Sequence, residues 1–184
     1  MRRRMIRTLV IVSILVILGV GYSFFSVHFS GDGKETPEEA LPSDANYEWI
    51  VGPKSEKEQR YFFLSNGDTF GTEVISKNFK GWSSGDGTST PLPKPLEDNT
   101  INAGYSDSNI LFGLIKPNGD VKITVNNHPA EQIPLTSLSA EIAENYNVAG
   151  YEIWYIDLSA LNDSKNYVIR VLDKNDSLLS ELSI

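Results

Sequence analysis

The side chains that most often carry acid–base or metal chemistry are scarce in this chain of 184 residues. There are two histidines and no cysteine. Without cysteine there is no disulfide framework, no thiol nucleophile, no thiolate metal site and no lipid-modified N-terminal cysteine. His28 follows directly on a long apolar run. His128 stands in "NNHPAE", before a proline, where a turn is expected. No second histidine is at hand to complete a metal pair or a nucleophile–base couple. The reading is therefore of no catalytic residues, no metal site and no cofactor.

Carboxylates are plentiful, and a hydrolase of envelope polymers built on a carboxylate pair is the alternative reading. Asp107, Glu131, Glu152, Asp157 and Asp173 are its possible members. Such an enzyme needs two carboxyls at a set separation across the substrate, and spacing in sequence marks out no pair. "DKNDS" (173–177) imitates the opening of an EF-hand loop, but Leu178 stands where that loop needs glycine. "YSDSN" and "SGDGTS" are shorter versions of the same composition. Asp, Asn and Ser bonding their own backbone in tight turns accounts for all three. Asn162-Asp163-Ser164 and Asn175-Asp176-Ser177 match the glycan acceptor pattern.

Aromatic residues are the remaining candidates for contact with a ligand. "GYEIWYIDL" (150–158) holds two tyrosines and a tryptophan. On a strand, Tyr151, Ile153 and Tyr155 face one side while Trp154, Ile156 and Leu158 face the other. The second set reads as core, with Trp154 and Ile156 expected beside Phe112 or Val168. The first set has a tyrosine at each end, and Tyr151 and Tyr155 are weak binding candidates. Trp82 is the preferred one. It opens a Gly-, Ser-, Thr- and Pro-rich stretch (81–99) that reads as a long exposed loop, with Phe79 as a possible covering neighbour.

The elements that must hold these residues begin with the strongest signal in the chain. Residues 8–27 carry no charge and are dominated by Leu, Ile, Val and Phe. As one continuous helix they would span the ~30 Å hydrocarbon core. Arg2, Arg3, Arg4 and Arg7 precede the run and favour a cytoplasmic N-terminus (1–7) by the positive-inside rule. A cleaved signal peptide is the rival, but the apolar stretch continues past the small residues Gly19 and Gly21. Both readings export the rest of the chain. The whole chain has 16 basic residues, four of them these arginines, which leaves the exported part 12 against 24 acidic ones. An exported part so acidic repels phosphate backbones, so no nucleic-acid partner is expected.

Residues 28–46 are polar and turn-rich and read as a linker that lifts the domain off the bilayer, with "TPEE" marking a short helical turn. From Tyr47 to the end (47–184) the pattern is β. About eight strands are expected, with hairpins at Asn66-Gly67, at Pro117-Asn118-Gly119 between 110–115 and 121–125, and around Asp173–Asp176. Residues 137–146 allow a turn or two of helix. The expected fold is mainly β: one transmembrane helix followed by an antiparallel extracellular β-sandwich, immunoglobulin-like in form.

"TPEEAL", "FKGW" before a Gly/Ser stretch, "SDSNILFGLI" and "VIRVLDKNDSLLSEL" resemble a pattern in small, mostly uncharacterised, membrane-anchored or exported β-rich proteins of Gram-positive bacteria. That resemblance implies location and fold class and brings no catalytic residues. The expectation is a single-pass protein of the cell membrane whose external domain binds or interacts within the envelope. Its partners would be the membrane, through the helix, and another envelope protein or a cell-wall polymer.

Overall fold

The computed structural model describes residues 2–43, 46–93, 96–101, 103–107, 109–161 and 166–184. The chain opens with one unbroken helix, α1 (Arg2–Phe29). Within it, Ile6–Ser26 is long and apolar enough to cross a membrane, with mean hydropathy 2.4 and none of its most apolar window buried against protein. The segment after it is not a free tether. Lys34 and Trp82 exchange backbone hydrogen bonds of 2.7 and 2.9 Å, and the Asn78 amide donates to the Ser30 carbonyl at 2.9 Å. The expected helical turn forms as a 3-10 turn at Glu38–Ala40, with the Glu39 N–H donating to the Thr36 hydroxyl.

The rest is mainly β, in three antiparallel sheets. The first is a meander of β1 (Tyr47–Lys54), β2 (Glu58–Ser65), β3 (Thr69–Lys77) and β4 (Trp82–Pro91), adjacent in that order. Asn66 and Gly67 take positive φ (52° and 78°) in the β2–β3 turn, as an Asn-Gly hairpin requires. There follow β5 (Tyr105–Ser106), β6 (Ile110–Ile115), β7 (Val121–Val125), β8 (His128–Pro129) and β9 (Glu131–Pro134). Then come the one-and-a-half-turn helix α2 (Ala140–Asn145), capped by Ser139, and β10 (Glu152–Asp157), β11 (Val168–Asp173) and β12 (Leu178–Ser183). The second sheet has the order β5-β6-β10-β9 and the third β12-β11-β7-β8.

The expected hairpin between 110–115 and 121–125 is corrected by this order. β6 pairs with β10, whereas β7 pairs with β11, so the two strands belong to different sheets. Their connection is held from outside: the Asn99 N–H donates to the Lys116 carbonyl, and the Asn99 side-chain oxygen accepts from the Asn118 N–H, at 2.8 and 2.7 Å. The expected loop at 81–99 is corrected too, because residues 82–91 are strand β4. Its sequence has no alternation of apolar side chains to announce it; pairing runs through the backbone, and Gly85 lets the Val74 carbonyl approach to 2.6 Å from where a Cβ would sit.

The chain forms two compact units, one of residues 1–44, 53–60 and 73–86 and the other of 45–52, 61–72 and 87–184. In the second unit the β5-β6-β10-β9 sheet buries both faces. One face, with Phe112, Leu114, Tyr151 and Ile153, packs with Ile50, Phe62, Leu64 and Phe70 of the meander. The other, with Leu111, Ile115, Trp154 and Ile156, packs with Ile123, Val125, Ile169 and Val171 of the third sheet. All six residues of β6 are buried. The expected neighbours of Trp154 are therefore corrected. Phe112 points to the opposite face because its strand alternates, and Val168 is only half-buried; Leu111 and Ile169 take their places.

Trp154 is fully buried and pairs across the ladder with Gly113. A Cβ at Gly113 would lie 2.8 Å from the indole, so the ring occupies the space a side chain would need. Its N–H has no hydrogen-bond partner among the described residues. Trp154→Ala is expected to cost about 3–5 kcal/mol in denaturant unfolding. Trp154→Phe should cost less, because it keeps a ring and removes an unsatisfied donor. A Trp154→Ala cost near zero would contradict the burial.

Candidate functional site

Among the described residues, each unit carries a groove. The groove of the first unit, about 730 Å³, is lined by His28, Ser30 and Gly31 at the end of α1, by Glu56 and Lys57, and by residues of the β3–β4 corner, among them Lys77 and Phe79. The β3–β4 corner is tied down locally: the Asn78 side chain accepts from the Lys80 N–H at 2.9 Å, and the Lys80 ammonium donates to the Gly31 carbonyl. Phe79 nonetheless stays 71% exposed, its ring centroid 5.4 Å from His28 and 5.8 Å from Phe29. The strands of this unit also bury polar side chains, Gln59, Arg60 and Glu73. Glu73 accepts a hydrogen bond from the Ser84 hydroxyl.

The groove of the second unit, about 560 Å³, is lined by Leu96, Lys116, Ala143, Glu144, Asn147, Ala149 and Tyr151. The Tyr151 hydroxyl accepts from the Leu96 N–H at 3.0 Å, which fixes its ring in the wall. Lys116 pairs with Asp98 at 2.9 Å, and that hydrogen-bonded carboxylate raises the lysine pKa above its ordinary value.

The three aromatic candidates meet different fates. Trp82 is 5% exposed, with the Lys77 ammonium 5.4 Å from its ring centroid, so its indole packs inside its unit and presents no face to a partner. The exposure expected of Trp82 is thus corrected, and Phe79, its expected covering neighbour, is the exposed ring. Tyr151 is 6% exposed yet contributes to a groove wall. Tyr155 is half-buried, 5.9 Å from Phe62 by ring centroid; burial first, and then the charge of Glu131, raise its phenol pKa. Tyr151 and Tyr155 lie with Ile153 on the face that the meander covers, so filling the core is their main work.

His128 is exposed on the short strand β8. Of the carboxylates singled out in sequence, Asp157 and Asp107 accept backbone N–H bonds from Ser159 and from Asn109 and Ile110. Glu152 accepts from the Gln132 side chain at 3.0 Å. "DKNDS" is a turn: Asp173 accepts from the N–H groups of Asn175 and Ser177, both at 2.8 Å, and Asp176 takes the left-handed conformation (φ 62°). Asn175-Asp176-Ser177 lies in this turn, and Asn162-Asp163-Ser164 falls outside the described residues. Among the described residues no three His or carboxylate side chains gather as a metal site would require.

The polar residues that sequence reading missed are Gln59, Arg60 and Glu73. They stand in strands otherwise dominated by apolar and aromatic side chains. The charge within "EQRYFF" and "TEVI" was the available signal. No family model, no curated protein and no solved structure matches the chain.

The Asp173 turn yields a pH prediction. Hydrogen bonds from Ser177 and Asn175 lower the Asp173 pKa below its ordinary value. A depressed carboxyl stabilises the fold above its unfolded pKa of about 3.9 and loses that contribution as pH falls through the folded value. The stability difference between wild type and Asp173→Ala should therefore be constant from neutral pH down to about pH 5 and shrink below it. A difference that grows on acidification would refute the turn's role.

Proposed function

We propose that the chain is a membrane-anchored binding module of the cell envelope, with residues 47–184 outside the cell. The observation that carries this reading is the exposed apolar surface of α1. Leu9, Ile11, Leu15, Ile17, Leu18 and Val20 are each at least 58% exposed, an apolar surface that water does not tolerate and lipid does. The arginines before it support a cytoplasmic start. The unbroken helix through Phe29 supports an anchor over a cleaved leader.

The strand orders support an immunoglobulin-like sandwich as the framework. With β5 to β12 named A, B, C, C′, D, E, F and G in turn, the sheets read A-B-E-D and G-F-C-C′. That is the arrangement of immunoglobulin-like domains. The β1–β4 meander is then an addition that covers the outer face of the A-B-E-D sheet. Such frameworks serve mainly to present surfaces to partners, here another envelope protein or a cell-wall polymer. Among the described residues, the groove of each unit is lined by one carboxylate, Glu56 or Glu144, which favours binding over carboxylate-pair hydrolysis.

The absence of cysteine makes the test clean. A single cysteine at Asn118 should react with an impermeant maleimide on intact cells, and one at Arg3 only after permeabilisation. The opposite pattern, or release of a shortened protein into the medium, would overturn the anchor. The detergent-solubilised protein should co-sediment with purified cell-wall polymer or crosslink on cells to a single envelope protein, without releasing soluble polymer fragments. Fragment release that is lost in Glu56→Gln or Glu144→Gln would support the hydrolase instead.

A further inference from the structure

The β3–β4 corner carries an aromatic ring at the level where α1 leaves the bilayer. Residues 8–27 as a helix match the ~30 Å hydrocarbon core at 1.5 Å per residue. His28 and Phe29 then stand at the headgroup boundary, next in the same unbroken helix. The Phe79 ring lies against both, with centroids 5.4 and 5.8 Å away, so it occupies the same depth to within a few ångströms. A phenylalanine 71% exposed to water is costly on a soluble face and favourable at a lipid boundary.

The charge around it points the same way. The chain as a whole carries a net charge of −8. The groove beside Phe79 is nevertheless lined by Lys57 and Lys77 against the one carboxylate Glu56, and Lys80 follows Phe79 directly. The Asn78 and Lys80 contacts to the Ser30 and Gly31 carbonyls hold this corner to the end of α1. The lysine charge thus gathers on the corner that adjoins the end of α1, and cations near an anionic leaflet are attracted to it.

We propose that Phe79 with Lys57, Lys77 and Lys80 forms a second contact with the bilayer surface. The ring enters the boundary between headgroups and acyl chains, and the combined positive charge of the three lysines, with the Lys80 ammonium held on the Gly31 carbonyl, draws anionic headgroups to this corner. Two attachment points fix the orientation of this unit on the membrane, which a single helix followed by a free tether would not do. This inference rests on the reading of α1 as a membrane span.

The test uses the full-length chain in vesicles of phosphatidylcholine with about one-third phosphatidylglycerol, an anionic surface of the kind that attracts basic segments. Single cysteines replace Ile17 or Phe79 and carry a nitroxide, whose depth is read from relative collision with oxygen and with a water-soluble nickel chelate. Position 17 is expected to read deep and position 79 shallow but inside the boundary. Lys57→Gln, Lys77→Gln and Lys80→Gln together should shift position 79 at least several-fold toward the aqueous ratio. An aqueous reading at 79 with a deep reading at 17 would overturn the second contact while sparing the anchor. Aqueous readings at both positions would overturn the anchor, and the contact with it. An unchanged shallow reading in the triple variant would overturn the role of the lysines.

Discussion

Everything in the β part of the chain depends on one sheet having no face left for water. The strands β6 and β10 lie side by side at the centre of that sheet, and their side chains alternate between two cores. Phe112 and Ile153 go one way, Leu111, Trp154 and Ile156 the other. A sheet buried on one side only would read as apolar alternating with polar. Burial on both sides needs a near-continuous apolar run, and "ILFGLI" supplies it. The single interruption, Gly113, is required by the indole that lies across it. The meander and the third sheet are each held by half of this constraint, so a defect at Trp154 or Phe112 loosens a whole layer.

The same constraint answers what the aromatic stripe at 150–158 is for. Its tyrosines and its tryptophan sit on opposite faces, and each face fills a different core. Tyr151 adds one polar bond, to the Leu96 N–H, which ties the stretch after β4 to the wall of a groove. Its aromatic character thus serves packing first and shapes a surface only secondarily.

Much of this was legible in the sequence, and the failures have identifiable causes. The apolar helix follows from its long uncharged run, the strands at 47–51, 110–115 and 121–125 from β-prone runs bounded by turn signals, and the two faces of 150–158 from alternation. The Asn66-Gly67 hairpin and the Asp173 turn follow from turn chemistry. β4 was hidden because its residues are small and polar, and β8 and β9 because Pro129 and Pro134 close them as edge strands. The crossover between β6 and β7 was hidden because a short turn-rich loop looks alike whether its strands pair or part. The contacts of Asn99 that decide the matter come from residues distant in sequence. The burial of Trp82 and the exposure of Phe79 were hidden because local composition does not say which of two nearby rings a backbone bridge turns inward.

The candidate sites were less legible than the fold, since a groove is a product of tertiary geometry. Lys57, Lys77 and Phe79 come together only because β3 and β4 turn back beside the end of α1. Two regions should therefore be protected, the helix, which on the proposed reading lipid covers, and the sheet covered on both faces. Hydrogen exchange of the full-length protein in lipid nanodiscs tests both at once, since burial of backbone bonds sets the slowest amides. The account predicts that Ile6–Ser26 and strands β6 and β10 exchange slowest, with the exposed edge strand β12 far faster. Exchange in β6 and β10 as fast as in β12, or an unprotected Ile6–Ser26, would contradict it.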